Sequence, residues 1–233
     1  MAAILRSGND QREVERKDAF ILKKCGDITI DDPLCKALNY RRLPDGRLLW
    51  GGRVSMIVGL SVALAATSIG VLIGMVAGFS RLAYALIMRV MDGMMAIPGI
   101  LLAVALMALM RASIETVVIA IAVPEIPRVV RLVRSLVLVI REQPYVQAAE
   151  AIGTRFHWIL LRHVLPNAVT PLIVQGTFIA ASAVLFEAYL SFLGAGTPPE
   201  IPSWGNMMAE GRAVVQLAFN IVLFPGIFLG LTV

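Results

Sequence analysis

The chain has 233 residues, 58% hydrophobic and 16% charged, with a formal net charge of +5 and a mean hydropathy of +0.79. A soluble domain is about half apolar and about a quarter charged, so this composition excludes an ordinary soluble enzyme and defines an integral membrane protein. The basic residues gather in the first 53 positions and in polar loops, as in cytoplasm-facing segments, so the positive balance does not call for nucleic acid.

Residues 1–53 form a polar N-terminal segment of mixed charge, with no apolar run long enough to span a bilayer and no signal-peptide core. Cys25 and Cys35 lie in it without metal-like spacing and carry no assigned role. The first span is expected over 54–79. Ala66, Gly70, Gly74 and Gly78 recur every four residues, a line of small residues on which another helix can pack backbone to backbone.

The second span is expected over 86–110 and contains Asp92 and Pro98. Asp92 follows Arg89 by three residues, so a helix-surface ion pair is favoured over a translocation role. Pro98 removes a backbone donor and is expected to kink the helix. The third span covers 116–130 and continues as a basic helix to 140. Pro124 and Pro127 bracket Glu125 and are expected to break the ladder, which is tolerated at membrane depth only beside protein or a cavity. That makes the stretch a candidate wall of a pathway. Arg128, Arg131 and Arg134 form a slowly drifting stripe.

A polar island follows, QPYVQAAEAIGTRFHWILLRHVLPN over 143–167. Pro144 suits the first turn of a helix. Tyr145, Ala148, Ala149 and Ile152 share one face, and two alanines keep that face narrow. Gly153 suits the left-handed position that ends a helix, and Thr154 can cap the next. Pro166 is expected to stop the second short helix. The product is a two-helix knob. His163 sits on the apolar side, and a packed histidine is favoured over a proton switch. The fourth span covers 168–190, with Glu187 near its far end. A Pro- and Gly-rich loop over 194–212 precedes a fifth span that starts near 214.

The island resembles the EAA loop of ABC importer permeases: Gln147-Ala148-Ala149, three residues, Gly153, then Leu165-Pro166 in register. Gln147 stands where the family has Glu, and His163 where it has a hydrophobic residue. HVLPNAVTPLIVQ resembles the dipeptide, oligopeptide and nickel branch. MRVMDGMMAIPGILLAVAL, FEAYLSFLGAG and Ser203-Trp204-Gly205 resemble family segments in the same order, the last being extracytoplasmic. Trp204 also suits an ordinary interface anchor.

The resemblance implies an all-α polytopic membrane bundle with about five spans visible where the family usually has six. The permease domain covers 54–233 and the cytoplasmic coupling loop 141–167. It implies a multi-pass subunit of the bacterial inner membrane, without cofactor or metal. Its expected partners are ATP-binding subunits, a second permease subunit and an extracytoplasmic solute-binding protein. Gln147, Ala148, Ala149, Glu150, Gly153, Leu165 and Pro166 become the expected ATPase-coupling residues. Asp92, Pro98, Pro124, Glu125 and Glu187 become pathway candidates.

Charge sets a puzzle of orientation. Six arginines between 128 and 163 place the coupling loop inside. Five spans then put the basic N-terminal segment outside. A preceding helix, as the family has, would repair the parity. The expectation is of an incomplete or altered member, lacking that helix and cut in its last one. No G-x-x-x-x-G-K-[ST] phosphate loop occurs, so ATP hydrolysis is expected from a separate subunit. A voltage-sensing or channel module is the competing reading, carried by the arginines at every third position.

Overall fold

The computed structural model describes residues 44–79, 81–110, 113–198, 201–212, 215–216 and 219–233. Residues 1–43, with both cysteines, lie outside this description. The described residues form helices joined by short turns and loops, with no strand among them.

The helices are α1 (Pro44–Phe79), α2 (Arg81–Met95), α3 (Gly99–Leu109), α4 (Ile114–Arg141), α5 (Pro144–Ala151), α6 (Phe156–Ile159), a π-helical turn (Leu160–Val164), α7 (Leu165–Phe192), α8 (Trp204–Arg212) and α9 (Asn220–Thr232). Helix α1 has 36 residues, so it starts well before the expected position 54. It packs along both α4 and α7, and these three helices hold the core: Val58, Val62, Ala66, Val129, Val133, Val137 and Ile179 are buried together.

The α1–α4 contact follows from residue size. A Cβ added to Gly70 would lie 2.5 Å from Val129 Cβ, and one on Gly74 would lie 2.7 Å from Val133 Cβ. One on Gly78 would lie 2.7 Å from Val137 Cγ1. Ala66 is fully buried in the same seam. Three valines on one face of α4 thus sit on a rail of glycines, with stiff β-branched side chains filling the groove that absent side chains leave.

Three local expectations need correction. Pro98 does more than kink its span: residues 83–95 and 99–109 meet at 89°. The residue before a proline is pushed out of the α region, and α2 ends on bonds from Ala96 to Asp92 and from Ile97 to Met94. Conversely, Pro124 and Pro127 do not break their helix. Helix α4 is continuous over 28 residues. Its burial against α1 keeps it straight enough to tolerate two missing donors, and Ser113 caps it by accepting from the Thr116 N–H at 3.1 Å.

Nor does Pro166 stop a helix. Helix α6, the π turn and α7 run on without interruption. The wide turn lets Leu165 N–H reach Leu160 O, which moves backbone away from the proline ring. Asn167 Nδ2 donates to His163 O at 2.6 Å, a side-chain bond that ties the first turn of α7 to the π turn.

Among the described residues, two helical runs are long and apolar enough to cross a membrane, Leu48–Gly78 and Leu160–Phe192, and a third if the bent pair counts as one span. Helix α4 is long enough but carries arginines through its second half. Helix α9 has 13 residues, about 20 Å at ~1.5 Å per residue. The expected loop over 194–212 contains a helix, α8. Trp204 opens it and is buried, with Nε1 donating to Leu48 O at 2.9 Å. It faces inward on α1, not out to a lipid interface.

Candidate functional site

The long run from Phe156 to Phe192 separates two candidate regions, one at each end. The first is the turn between α5 and α6, within the segment expected to couple to an ATPase. Pro144 stands in the first turn of α5. Val146 and Ala149 are buried in the core, while Tyr145, Gln147, Ala148, Glu150 and Ile152 are exposed. The expected pair of outward alanines is therefore split. Ala148 faces out and Ala149 faces in, because the bundle takes the Val146–Ala149 edge of the helix.

Helix α5 ends in a Schellman arrangement. Gly153 has φ +80°. Its N–H donates to Glu150 O at 3.0 Å, and Thr154 N–H donates to Ala149 O at 3.0 Å. The next helix begins one residue later than a Thr154 cap requires, since Trp158 and Ile159 donate to Arg155 O.

The turn is tied down on two sides. Arg141 Nε lies 3.6 Å from Glu150 Oε1. Asn167 Nδ2 donates to Tyr145 Oη at 3.3 Å, and the Tyr145 and His163 rings stand 6.0 Å apart. Gln147 Nε2 donates to Glu142 O at 3.2 Å. Leu165 is half-buried and Pro166 exposed. Beside exposed Gln147, Glu150, Arg155 and Arg162, this frame presents large apolar side chains outward: Ile152 is 84% exposed, and Trp158 and Leu161 are more than half exposed. Trp158 and Leu161 escape a reading based on the motif. Their signal is large apolar side chains left exposed beside charged ones, as at a protein contact.

The pathway candidates fall into three places. Pro98, Pro124 and Glu125 lie near the bend, where a Cβ on Gly99 would meet Pro124 Cβ at 3.4 Å. Glu125 is buried and receives Arg128 Nη1 at 3.1 Å and 3.2 Å on its two oxygens. Asp92 is exposed and pairs with Arg131 at 2.6 Å, not with Arg89 as expected. Arg134 lies 3.9 Å over the Tyr84 ring. All three stripe arginines are thus engaged within the chain, and the gating-charge reading finds no support.

Glu187 is in the third place, at the other end of α7. It is fully buried. Ser55 Oγ donates to it at 3.0 Å, Ser191 Oγ at 2.9 Å and Thr197 Oγ1 at 3.4 Å. Thr197 in turn contacts Ser203 Oγ at 3.3 Å, which accepts from Asn206 N–H at 3.1 Å. Ser203 is therefore the N-terminal cap of α8. A hydroxyl relay connects that helix's positive end to the carboxylate, which explains how an acid is accommodated there.

The described residues thus form a helical membrane bundle with a glycine-set turn that exposes large apolar side chains at one end and a buried polar node at the other. Residues 70–233 match the family described as "Binding-protein-dependent transport system inner membrane component", and the chain belongs to it. It is 50% identical over 187 residues to a probable peptide ABC transporter permease protein of Sinorhizobium fredii, covering 80% of this chain and 64% of the relative. It is 40% identical over 188 residues to a dipeptide transport system permease protein of Alkalihalophilus pseudofirmus, covering 80% and 62%. The chain thus spans a little over three fifths of the length of these curated relatives. In fold it is similar to a chain of the inward-facing MetNI methionine ABC transporter, with a TM-score of 0.60 at 17% identity over 80% of this chain and 96% of that one.

Proposed function

We propose that this chain acts as the membrane-spanning permease subunit of an ATP-driven importer for peptides or related small solutes. Two permease subunits, alike or different, form the pathway in a bacterial inner membrane. Two ATP-binding subunits sit beneath them, and an extracytoplasmic binding protein delivers the solute. The chain itself hydrolyses nothing; closure of the ATPase pair drives the coupling turn, and the turn moves the spans.

The observation that carries this reading is the coupling turn. A left-handed glycine fixes its angle, buried Val146 and Ala149 root it in the core, and exposed Ala148, Ile152, Trp158 and Leu161 face outward. A solvated connector has no reason to root one edge and expose an apolar other edge. Relatives named for peptide and dipeptide transport support the substrate class.

The test is co-expression with candidate ATP-binding subunits and purification in detergent. The expected result is a stable complex whose yield falls at least tenfold for the Ile152→Asp/Trp158→Asp variant. Equal recovery of the ATPase with that variant counts against the reading.

A further inference from the structure

Glu125 and Arg128 form an inside-out pair: the Glu125 side chain is 3% exposed and the Arg128 side chain 47%. A single nitrogen of the guanidinium, Nη1, serves both carboxylate oxygens. A guanidinium carries five N–H donors in a fixed fork. Nη2 and Nε make no hydrogen bond to any described residue.

The pair lies deep. Its neighbour Val129 packs on Gly70, which stands eight residues inside the Gly78 end of the first apolar run, about 12 Å at ~1.5 Å per residue. An arginine at that depth does not face hydrocarbon; such residues face a protein interior or a water-filled cavity. The surroundings agree. Pro124 and Pro127 deprive the carbonyls of Ala120 and Val123 of their helical donors. Below Arg128 the same face of α4 continues through exposed Arg131 and Ser135. This is a polar stripe leading from the bend towards the coupling end.

We propose that Arg128 is a contact for the carboxylate of the transported solute, with Glu125 as the positioning residue that holds the guanidinium fork outward. Two donors on Nη2, or one on Nη2 and one on Nε, match the two oxygens of a carboxylate. The class of ligand is a small carboxylic acid, as the C-terminus of a short peptide is. This rests on the importer reading and adds a specificity contact to it. A carboxylate of the second permease subunit is the competing partner for the same fork.

The test uses the complete transporter in proteoliposomes, with ATP inside and alanyl-alanine as solute. Arg128→Gln is expected to lower uptake at least tenfold. Arg128→Gln/Glu125→Gln removes the pair as a unit and leaves no orphaned charge. If Arg128 contacts the solute, the double variant stays as slow as the single one; recovery to within twofold of wild type shows that Arg128 only neutralises Glu125, and overturns the proposal. Arg128→Cys, in a background with Cys25→Ser and Cys35→Ser, separates water from protein. Modification by an anionic methanethiosulfonate, slowed by alanyl-alanine, supports the contact. No modification in the assembled complex places a partner subunit over the site and overturns it. Absence of ATP-dependent uptake by the wild-type complex removes the importer reading instead, a result the labelling arm does not share.

Discussion

Ser55 and Glu187 are 132 positions apart in sequence and 3.0 Å apart in space. One lies on α1 and the other on α7, and both are fully buried. Their hydrogen bond is the centre of a node that also holds Ser191, Thr197, Ser203 and Asn206. Ser55, Ser191 and Thr197 donate to Glu187, and Thr197 links it to Ser203, so the carboxylate orders the segment that leads into α8.

Replacing that acceptor tests the node. Glu187→Leu leaves several buried hydroxyls without an acceptor, at about 1–3 kcal/mol for each buried group left unsatisfied. Glu187→Gln keeps one acceptor oxygen and is expected to cost less. Thermal unfolding of the detergent-solubilised protein measures both. Equal melting of wild type and Glu187→Leu would show that the node contributes no stability.

The glycine rail makes a second expectation. At Gly74 an added Cβ would already crowd Val133 and the Val130 carbonyl, the latter at 3.0 Å. Gly74→Leu must therefore push α1 and α4 apart, costing at least the ~1–3 kcal/mol of an overpacked core. Leu72 is 64% exposed, and Leu72→Ala should leave the monomer's stability nearly unchanged. Yield and melting temperature of the two variants, compared side by side, check the difference.

Gly153 makes a third. Nothing lies within 4 Å of a Cβ built there, so space is not the constraint; the left-handed backbone is. Gly153→Val costs on the order of 1–3 kcal/mol in strain, whereas Gly153→Asn costs less because asparagine tolerates that region. Both variants should insert in the membrane. The valine variant should lose solute-stimulated ATP hydrolysis by the partner, and the asparagine variant should keep most of it. Full stimulation with valine would reduce the turn to a connector. Gln147→Glu restores the family residue at an exposed position, worth about 0–1 kcal/mol, and is expected to leave coupling intact.

Topology is checked at the two ends of the Phe156–Phe192 run. Ser203 is fully buried and makes a poor reporter. Ile152 and Leu193 are 84% and 62% exposed. With an impermeant thiol reagent on intact cells, Leu193→Cys should react and Ile152→Cys should react only after lysis. The reverse pattern would invert the orientation.

What the sequence made readable was local. The four-residue spacing from Ala66 to Gly78 announced a packing line, and Gly153 announced a left-handed turn, because each depends on residue size or backbone freedom at one place. Partners distant in the chain were hidden. Asp92 has Arg89 three residues away, yet Arg131, 39 positions on, reaches it, because the α2–α4 packing brings Arg131 closer than rotamer geometry brings Arg89. Ala149 could not be told from Ala148 without knowing which edge of α5 the bundle takes. The rule that proline ends a helix failed at Pro166, where a wider turn removes the clash. Helix α8 was masked by prolines and glycines that belong to its approach and not to the helix.

That wider turn has a mechanical consequence. Leu160–Val164 closes its backbone bonds over five residues, one more than an α turn. Each α residue advances about 100° around the axis, so the surplus residue sets the upstream helix out of phase with the downstream one. Trp158 and Leu161 take their compass bearing from that offset. Shortening the chain by one residue there would turn the face that carries Trp158 by roughly a quarter of a revolution while leaving the spans where they are. The direction in which Trp158 and Leu161 point is stored as a count of residues, not as a contact.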